Sequence, residues 1–275
     1  AGARVLVAMK HVGVNVAADP LLTAAYTGVN GGLVLVSADD PGMHSSQNEQ
    51  DNRYYAKFAK IPLLEPSDSQ EAKNMLKIAY DISEEFDTPV LLRTTTRIAH
   101  SQCLVKLEPR EELPLKEYVK DPQKYVMLPA HARLRHPIVE ERRKKLETFN
   151  EKSSLNRVEK ASAKVGVITS GITYQYVKEA MPEASVLKLG MTYPLPKNLI
   201  TDFVQSVETC YVIEELEPFL EEQIKAWGLA VIGKDIFPRI GELSAELIAQ
   251  KFSEEEQSEV ASASQAQAIP VRPPV

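Results

Sequence analysis

The side chains with most chemistry to offer crowd into residues 10–53. An apolar run of strand length, residues 4–9, passes into Lys10-His11-Val12-Gly13-Val14-Asn15. A second apolar run, residues 33–37, passes into Asp39-Asp40-Pro41-Gly42-Met43-His44-Ser45-Ser46-Gln47-Asn48-Glu49-Gln50-Asp51-Asn52-Arg53. Histidines just past strands are candidate proton donors, proton acceptors or ligand contacts. His11 and His44 are therefore the first catalytic candidates. Gly13 would allow a ligand to approach the backbone, and Asn15 could donate to or accept from a polar ring or a carboxylate. A blander role is open to each. His11 and Asn15 could cap a helix, and the 39–53 run could be a solvated, Asx-turn-rich loop whose aspartates complement a helix dipole. Arg97 and His100 follow another strand, where a surface ion pair would explain them equally well.

Three chemistries find little support. No Cys or His spacing suits a metal. Gly28, Gly31 and Gly32 precede a strand rather than a helix, the wrong order for a phosphate-cradling loop. No GxSxG elbow is present for a serine nucleophile.

The elements that must position these groups alternate in type. Strands are expected at residues 4–9, 33–37, 61–64 and 89–94. The first, apolar from Val5 onward, reads as a central strand buried on both faces. Asp19 and Pro20 mark a helix start, with Gly28 or Gly31 ending that helix. Another helix is expected from within residues 46–52 to Lys60. Ser67, Asp68 and Glu71 cap a helix over residues 70–86. Strand–helix alternation predicts an open, mostly parallel sheet with right-handed crossovers. In such sheets ligands gather past the carboxyl ends of the strands.

Residues 105–161 change character, being charged and proline-containing, with a helix expected over 138–149. So long a stretch of low order marks a connector. A second α/β unit follows, with strands at 165–169, 185–189, 209–213 and 231–233. Its helices fall at 174–181, 196–206, 219–227 and 241–252. The organisation read from the chain is residues 1–104, a connector at 105–162, a second domain at 163–252 and a linker at 253–275.

Composition fits a soluble globular protein, with 44% hydrophobic and 25% charged residues. The net charge of −6 argues against a nucleic-acid surface. No run is long enough to span a bilayer, and Cys103 and Cys210, the two cysteines, suit a reducing compartment. A cytoplasmic location is expected. Residues 1–9 read as an interior strand without a lead-in, and the chain closes on Ile269-Pro270-Val271-Arg272-Pro273-Pro274-Val275, so a piece of a longer polypeptide is expected.

Residues 9–15 and the 37–51 loop resemble the alpha subunit of indolepyruvate ferredoxin oxidoreductase, a thiamine-diphosphate-dependent 2-oxoacid:ferredoxin oxidoreductase. The likeness extends over most of the chain. Thr96-Arg97-Ile98-Ala99-His100-Ser101 is similar to the family's strand-end Arg-Ile-Ser-His-Ser, with Ala99 departing from its Ser. Ser153-Ser154-Leu155-Asn156-Arg157-Val158 looks like its connector. Thr169-Ser170-Gly171, residues 189–196 and Ile213-Glu214-Glu215 look like its transketolase-C-terminal-like domain.

The resemblance implies a partial pyrimidine-binding domain followed by that second domain. It implies Lys10, Gly13 and Asn15 as cofactor contacts, His11 and His44 as catalytic groups, and Asp40, Ser45, Gln47 and Arg97 at a substrate rim or interface. The parent enzyme would use thiamine diphosphate, Mg2+ and iron–sulfur (4Fe-4S) clusters. It would convert an aryl pyruvate to acyl-coenzyme A with a beta subunit and ferredoxin as partners. The fold's activating glutamate has no substitute here, and the diphosphate-and-metal domain would follow residue 275. This chain alone is expected to be inactive and to bind no cofactor tightly. The second domain is expected to be structural, its Glu214-Glu215 pair serving packing or an interface. Another thiamine-diphosphate enzyme, such as a pyruvate oxidoreductase or a transketolase-like synthase, and a non-catalytic interaction module stand as alternatives.

Overall fold

A computed structural model of the chain describes residues 2–110 and 112–266, with side chains described as far as residue 255. The 269–275 segment and its Pro-rich end lie outside the described residues. Two mostly parallel sheets organise the molecule, as the strand–helix rhythm requires.

The first unit runs β1 (Val5–Lys10), α1 (His11–Val16), α2 (Ala18–Thr27), β2 (Leu33–Asp39), α3 (Arg53–Ala59), β3 (Leu63–Leu64), α4 (Ser69–Glu85), β4 (Val90–Thr95) and α5 (Thr96–His100). After it come α6 (Pro122–Tyr125) and α7 (Pro129–Asn150). The second unit then runs β5 (Arg157–Glu159), β6 (Ser162–Ser170), α8 (Thr173–Ala180), β7 (Ala184–Leu189), β8 (Met191–Tyr193), α9 (Lys197–Gln205), β9 (Thr209–Ile213), α10 (Phe219–Lys225) and α11 (Ala245–Ala266).

The first sheet has the order β1-β2-β4-β3-β8 and the second β5-β7-β6-β9. Strand β8 belongs to the second half of the sequence yet pairs antiparallel with β3. The core crosses with it, since Leu63 and Leu91 share one apolar cluster with Ile168, Leu187 and Leu189. Arg157 and Lys188 from the second unit both reach Glu71 on α4. Lys188 is fully buried, and burial holds its ammonium below the usual lysine range despite that partner.

Several expectations change in the folded chain. Strand β1 is not central: among the described residues it pairs with β2 only, and Val5 and Leu6 remain 46% and 48% exposed. An all-apolar run reports a strand's character but not which of its edges is hydrogen-bonded. The segment after it is helical already, with α1 beginning at His11 and α2 at Ala18, so Asp19 lies in a first turn instead of capping one. Gly28 does end α2, in the positive-φ conformation that glycine adopts without strain. The connector is more ordered than its composition suggests, because α7 spans twenty-two residues and admits Pro137 within it. Arg135 and Arg142 of α7 donate to the carbonyls of Ala25, Tyr26 and Thr27, the last turn of α2, anchoring one helix on the orphan acceptors of another. The strand expected at 231–233 is a single bridge between Tyr211 and Ile232. Helix α11 continues through Ala266, into the stretch whose composition reads as linker.

The capping signal at α4 forms as the sequence indicates. Asp68 accepts the Glu71 amide at 2.7 Å, and Glu71 reaches back to the amide and hydroxyl of Ser67 at 2.9 and 2.7 Å. Asp68→Ala is expected to lower stability by ~1 kcal/mol. Urea unfolding checks this, and an unmoved midpoint would contradict it.

Candidate functional site

The carboxyl ends of β1, β2 and β4 come together, and those of β6 and β9 face them from the second sheet. Lys10 closes β1, Asp39 closes β2 and Thr95 closes β4, while Ser170 and Ile213-Glu214 close the opposing strands. Loop 40–52 spans the gap.

That loop is tied down by polar contacts. Asp40, buried, accepts the Ser45 amide at 3.0 Å, the Ser46 hydroxyl at 2.5 Å and the Thr96 hydroxyl at 2.7 Å. Burial works against its charge, but Ser46, the Ser45 amide and Thr96 outweigh it and hold the carboxyl well below the usual range. Lys10, whose side chain donates to the Ser45 carbonyl, adds a second tie. His11 is 1% exposed, and its Nε2 lies 3.2 Å from the Asn48 carbonyl. No side-chain cap is made at the start of α1, so His11 serves the loop and not the helix.

Four acceptor-capable buried atoms in this neighbourhood lack a partner, His11 Nδ1, Gln50 Oε1, Asn52 Oδ1 and Thr95 Oγ1, and so does the donor Arg93 Nη2. Asn52 donates to the Ser37 hydroxyl at 2.6 Å and to the His11 carbonyl at 3.5 Å, which joins the group to β2. Buried polar atoms are ordinarily satisfied, so orphans concentrated at strand ends suit a donor-bearing ligand.

The other candidates separate. Asn15 is exposed and accepts from the Tyr55 hydroxyl at 2.9 Å, away from His11's buried ring. Gly13 lies inside α1, where a Cβ would stand 3.1 Å from the Met9 side chain, so its small size serves packing. His44 and Arg97 come together on Glu242, and Gln47 is exposed at the loop's tip.

Between the two sheets lies a set of charges that motif reading passes over. Arg53, 1% exposed, donates to Asp51 through Nε at 2.8 Å and Nη2 at 2.5 Å. It also reaches Glu214 at 2.5 Å and the carbonyls of Glu215 and Glu217 at 2.9 Å. Arg93 bonds Asp39 at 2.8 Å and Glu65 at 2.6 Å. Glu65 in turn accepts from Thr192 at 2.7 Å and Ser170 at 3.3 Å, both in the second unit. Burial opposes the charge on each arginine, but Asp51 and Glu214 around Arg53, and Asp39 and Glu65 around Arg93, raise both above the usual range. Glu214 also accepts the amides of Leu220 and Glu221 at the start of α10. The signal for this set is present in the sequence: Arg93 interrupts the apolar strand Val90-Leu91-Leu92, and a charge in a buried strand requires a partner.

Among the described residues no group of three or more His, Cys, Asp or Glu side chains could hold a metal ion. Nor is any described helix long and apolar enough to cross a membrane. Neither cysteine is in a disulfide; Cys103 is exposed and Cys210 buried.

Comparison with solved structures assigns the fold. A 2-oxoglutarate:ferredoxin oxidoreductase from Magnetococcus marinus matches 91% of the chain with a TM-score of 0.67 at 16% identity, covering 53% of its own length. A split-gene transketolase, described as an inactive beta4 tetramer, matches 90% with a TM-score of 0.55 at 13% identity, covering 74% of its own length. The architecture is thus the two-sheet α/β fold that these enzymes share.

Sequence relatives narrow the assignment. Indolepyruvate oxidoreductase subunit IorA of Archaeoglobus fulgidus is 48% identical over 241 residues, or 85% of this chain and 39% of the relative. The same subunit of Pyrococcus horikoshii is 47% identical over 266 residues, 89% of this chain and 40% of the relative. That of Methanothermobacter marburgensis is 42% identical over 267 residues, 92% and 43%. No family model matches the chain. The resemblance drawn from the sequence is thereby shown: this chain corresponds to a stretch of the indolepyruvate oxidoreductase IorA subunits. It spans about two fifths of their length.

Proposed function

We propose that the chain forms part of a thiamine-diphosphate-dependent 2-oxoacid:ferredoxin oxidoreductase acting in the cytoplasm on indolepyruvate and other aryl pyruvates. The keto acid loses carbon dioxide, its acyl group passes to coenzyme A and the electron pair passes through iron–sulfur clusters to ferredoxin. The observation that carries this reading is the likeness to the IorA subunits over most of the chain, joined to a polar cluster at the strand ends that such a fold uses.

The residues present fit one half of the cofactor. His11 Nδ1, Gln50 Oε1 and Asn52 Oδ1 are buried acceptors without partners, suited to an amine-bearing ring such as an aminopyrimidine. Bound there, thiamine diphosphate would supply the nucleophilic carbon for a 2-keto group. On this reading His11 orients the ring, Lys10 holds the loop over it, and Asn15 and Gly13 shape the helix that backs it. His44, Asp40, Ser45, Gln47 and Arg97 form the rim. The diphosphate, Mg2+ and cluster contacts belong to other parts of the enzyme, which includes a beta subunit, and the isolated chain binds the cofactor weakly.

In the full-length subunit assembled with its partner, His11→Ala and His44→Ala are each expected to lower kcat/KM for indolepyruvate by about tenfold or more, the scale of a lost acid–base or orienting contact. Unchanged kcat/KM in both variants would overturn the assignment of this edge.

A further inference from the structure

Glu242 stands on the segment before α11, 145 residues from Arg97 in sequence, yet its carboxylate meets both Arg97 and His44. Oε1 accepts from Arg97 Nε at 2.9 Å and lies 3.0 Å from His44 Nε2. Oε2 accepts from Arg97 Nε at 3.0 Å and Nη2 at 2.5 Å. Glu242 is the sheltered member, its side chain 15% exposed against 53% for Arg97 and 42% for His44. The two segments also touch at Gly42, where a Cβ would stand 3.2 Å from Glu242 Cγ.

The loop has ties of its own besides Glu242. Asp40 gathers Ser45, Ser46 and Thr96, and Lys10 holds the Ser45 carbonyl. What Glu242 adds is the placement of two side chains. An exposed arginine samples many rotamers, and a forked carboxylate contact fixes the plane of its guanidinium. Arg97 engages Glu242 through Nε and Nη2, so Nη1 is not used in that contact. A guanidinium fixed on a carboxylate beside an imidazole, with Nη1 left over, forms a small polar receptor at the rim.

We infer that Glu242 is a positioning residue, holding Arg97 and His44 side by side as the receptor for the carboxylate of the 2-oxoacid. This rests on the reading under Proposed function and adds to it a residue from the second unit. Substrate binding then draws on both sheets, because the receptor's two side chains come from the first unit and their brace from the second.

The test is steady-state kinetics on the full-length, partner-assembled enzyme with Glu242→Ala, Glu242→Gln, Arg97→Ala, His44→Ala and the double variant of Glu242 and Arg97. Loss of Glu242 is expected to raise KM for indolepyruvate about tenfold with kcat within about twofold, the pattern of a lost binding contact. The double variant should lose less than the two single losses combined, since Glu242 has no effect through Arg97 once Arg97 is gone and keeps only its hold on His44. A purely structural role would instead give additive losses. An unchanged or lowered KM in Glu242→Ala, or additivity with Arg97→Ala, overturns the positioning role. If Arg97→Ala and His44→Ala raise KM while Glu242→Ala does not, this inference alone fails. If neither Arg97→Ala nor His44→Ala moves KM, the rim assignment fails with it.

Discussion

Arg53→Ala is expected to destabilise the chain by ~3–5 kcal/mol, the scale found when one partner of a buried ion pair is removed. The reason lies in what the substitution leaves behind. Asp51 and Glu214, with side chains 3% and 1% exposed, would remain without their shared cation. The carbonyls of Glu215 and Glu217 would lose a donor as well. The ring of Phe219, 5.1 Å from the guanidinium carbon, would lose the cation that it covers. Lysine should not rescue the site, because a single ammonium cannot reproduce the fork that reaches two carboxylates and two carbonyls. The effect should be global, since Arg53 joins α3 to the end of β9. Chemical unfolding measures it, and a loss below ~1 kcal/mol would mean the network is incidental to the fold.

Glu215→Gln is expected to act in the opposite direction and only above mildly acidic pH. Glu215 is 6% exposed and accepts just the Leu243 amide at 3.2 Å among described contacts. Burial pushes its carboxyl up to about 7, with Arg93 pulling the other way. Its neighbours include Arg53, Glu242 and, from their own surroundings, Tyr176 and Lys234. The ordinary value of 4.5 lies below the folded value, so the folded chain holds this proton more tightly than the unfolded chain. The resulting stability is fully present below 4.5 and is lost as pH rises through about 7. At 1.36 kcal/mol per unit the loss is ~3 kcal/mol over that window. Glutamine cannot ionise, so the variant should lose Glu215's part of the decline and exceed the parent above pH 7 while differing little near pH 5. Thermal unfolding across pH 4.5–8.5 checks this, and parallel pH profiles for the two proteins would contradict it. Asp40 and Asp51 are held below the usual carboxylate range, so their contributions fade at more acidic pH, while Glu214, raised by burial, adds the same decline to both proteins and leaves the difference between them to Glu215.

Much of the fold is legible in the chain because it depends on local chemistry. The capping group at Ser67–Glu71, the Gly28 stop and the apolar strand at 209–213 each declare themselves within a few residues. Edge and centre do not: Val5 and Leu6 read like buried strand residues because pairing is a property of the sheet. Helix α1 was hidden by Gly13 and the β-branched Val12 and Val14, which weaken helix propensity although packing against β1 and β2 prevails. The strand-end cluster was visible as a dense polar loop, but its wiring was not. Arg53 and Glu214 are 161 residues apart, and only the folded topology brings α3 against the end of β9. Glu242 carries no local mark at all; its meaning comes from Arg97 and His44 on the opposing unit.

The most direct test of the proposed function is anaerobic turnover by the full-length subunit assembled with its partner. Indolepyruvate is supplied with coenzyme A and an oxidised ferredoxin, with and without added thiamine diphosphate and Mg2+ after cofactor removal. Carbon dioxide release coupled to ferredoxin reduction, dependent on the keto acid and restored by the cofactor, is the expected result. Reduction that proceeds equally without the cofactor, or none with any 2-oxoacid, would contradict the account.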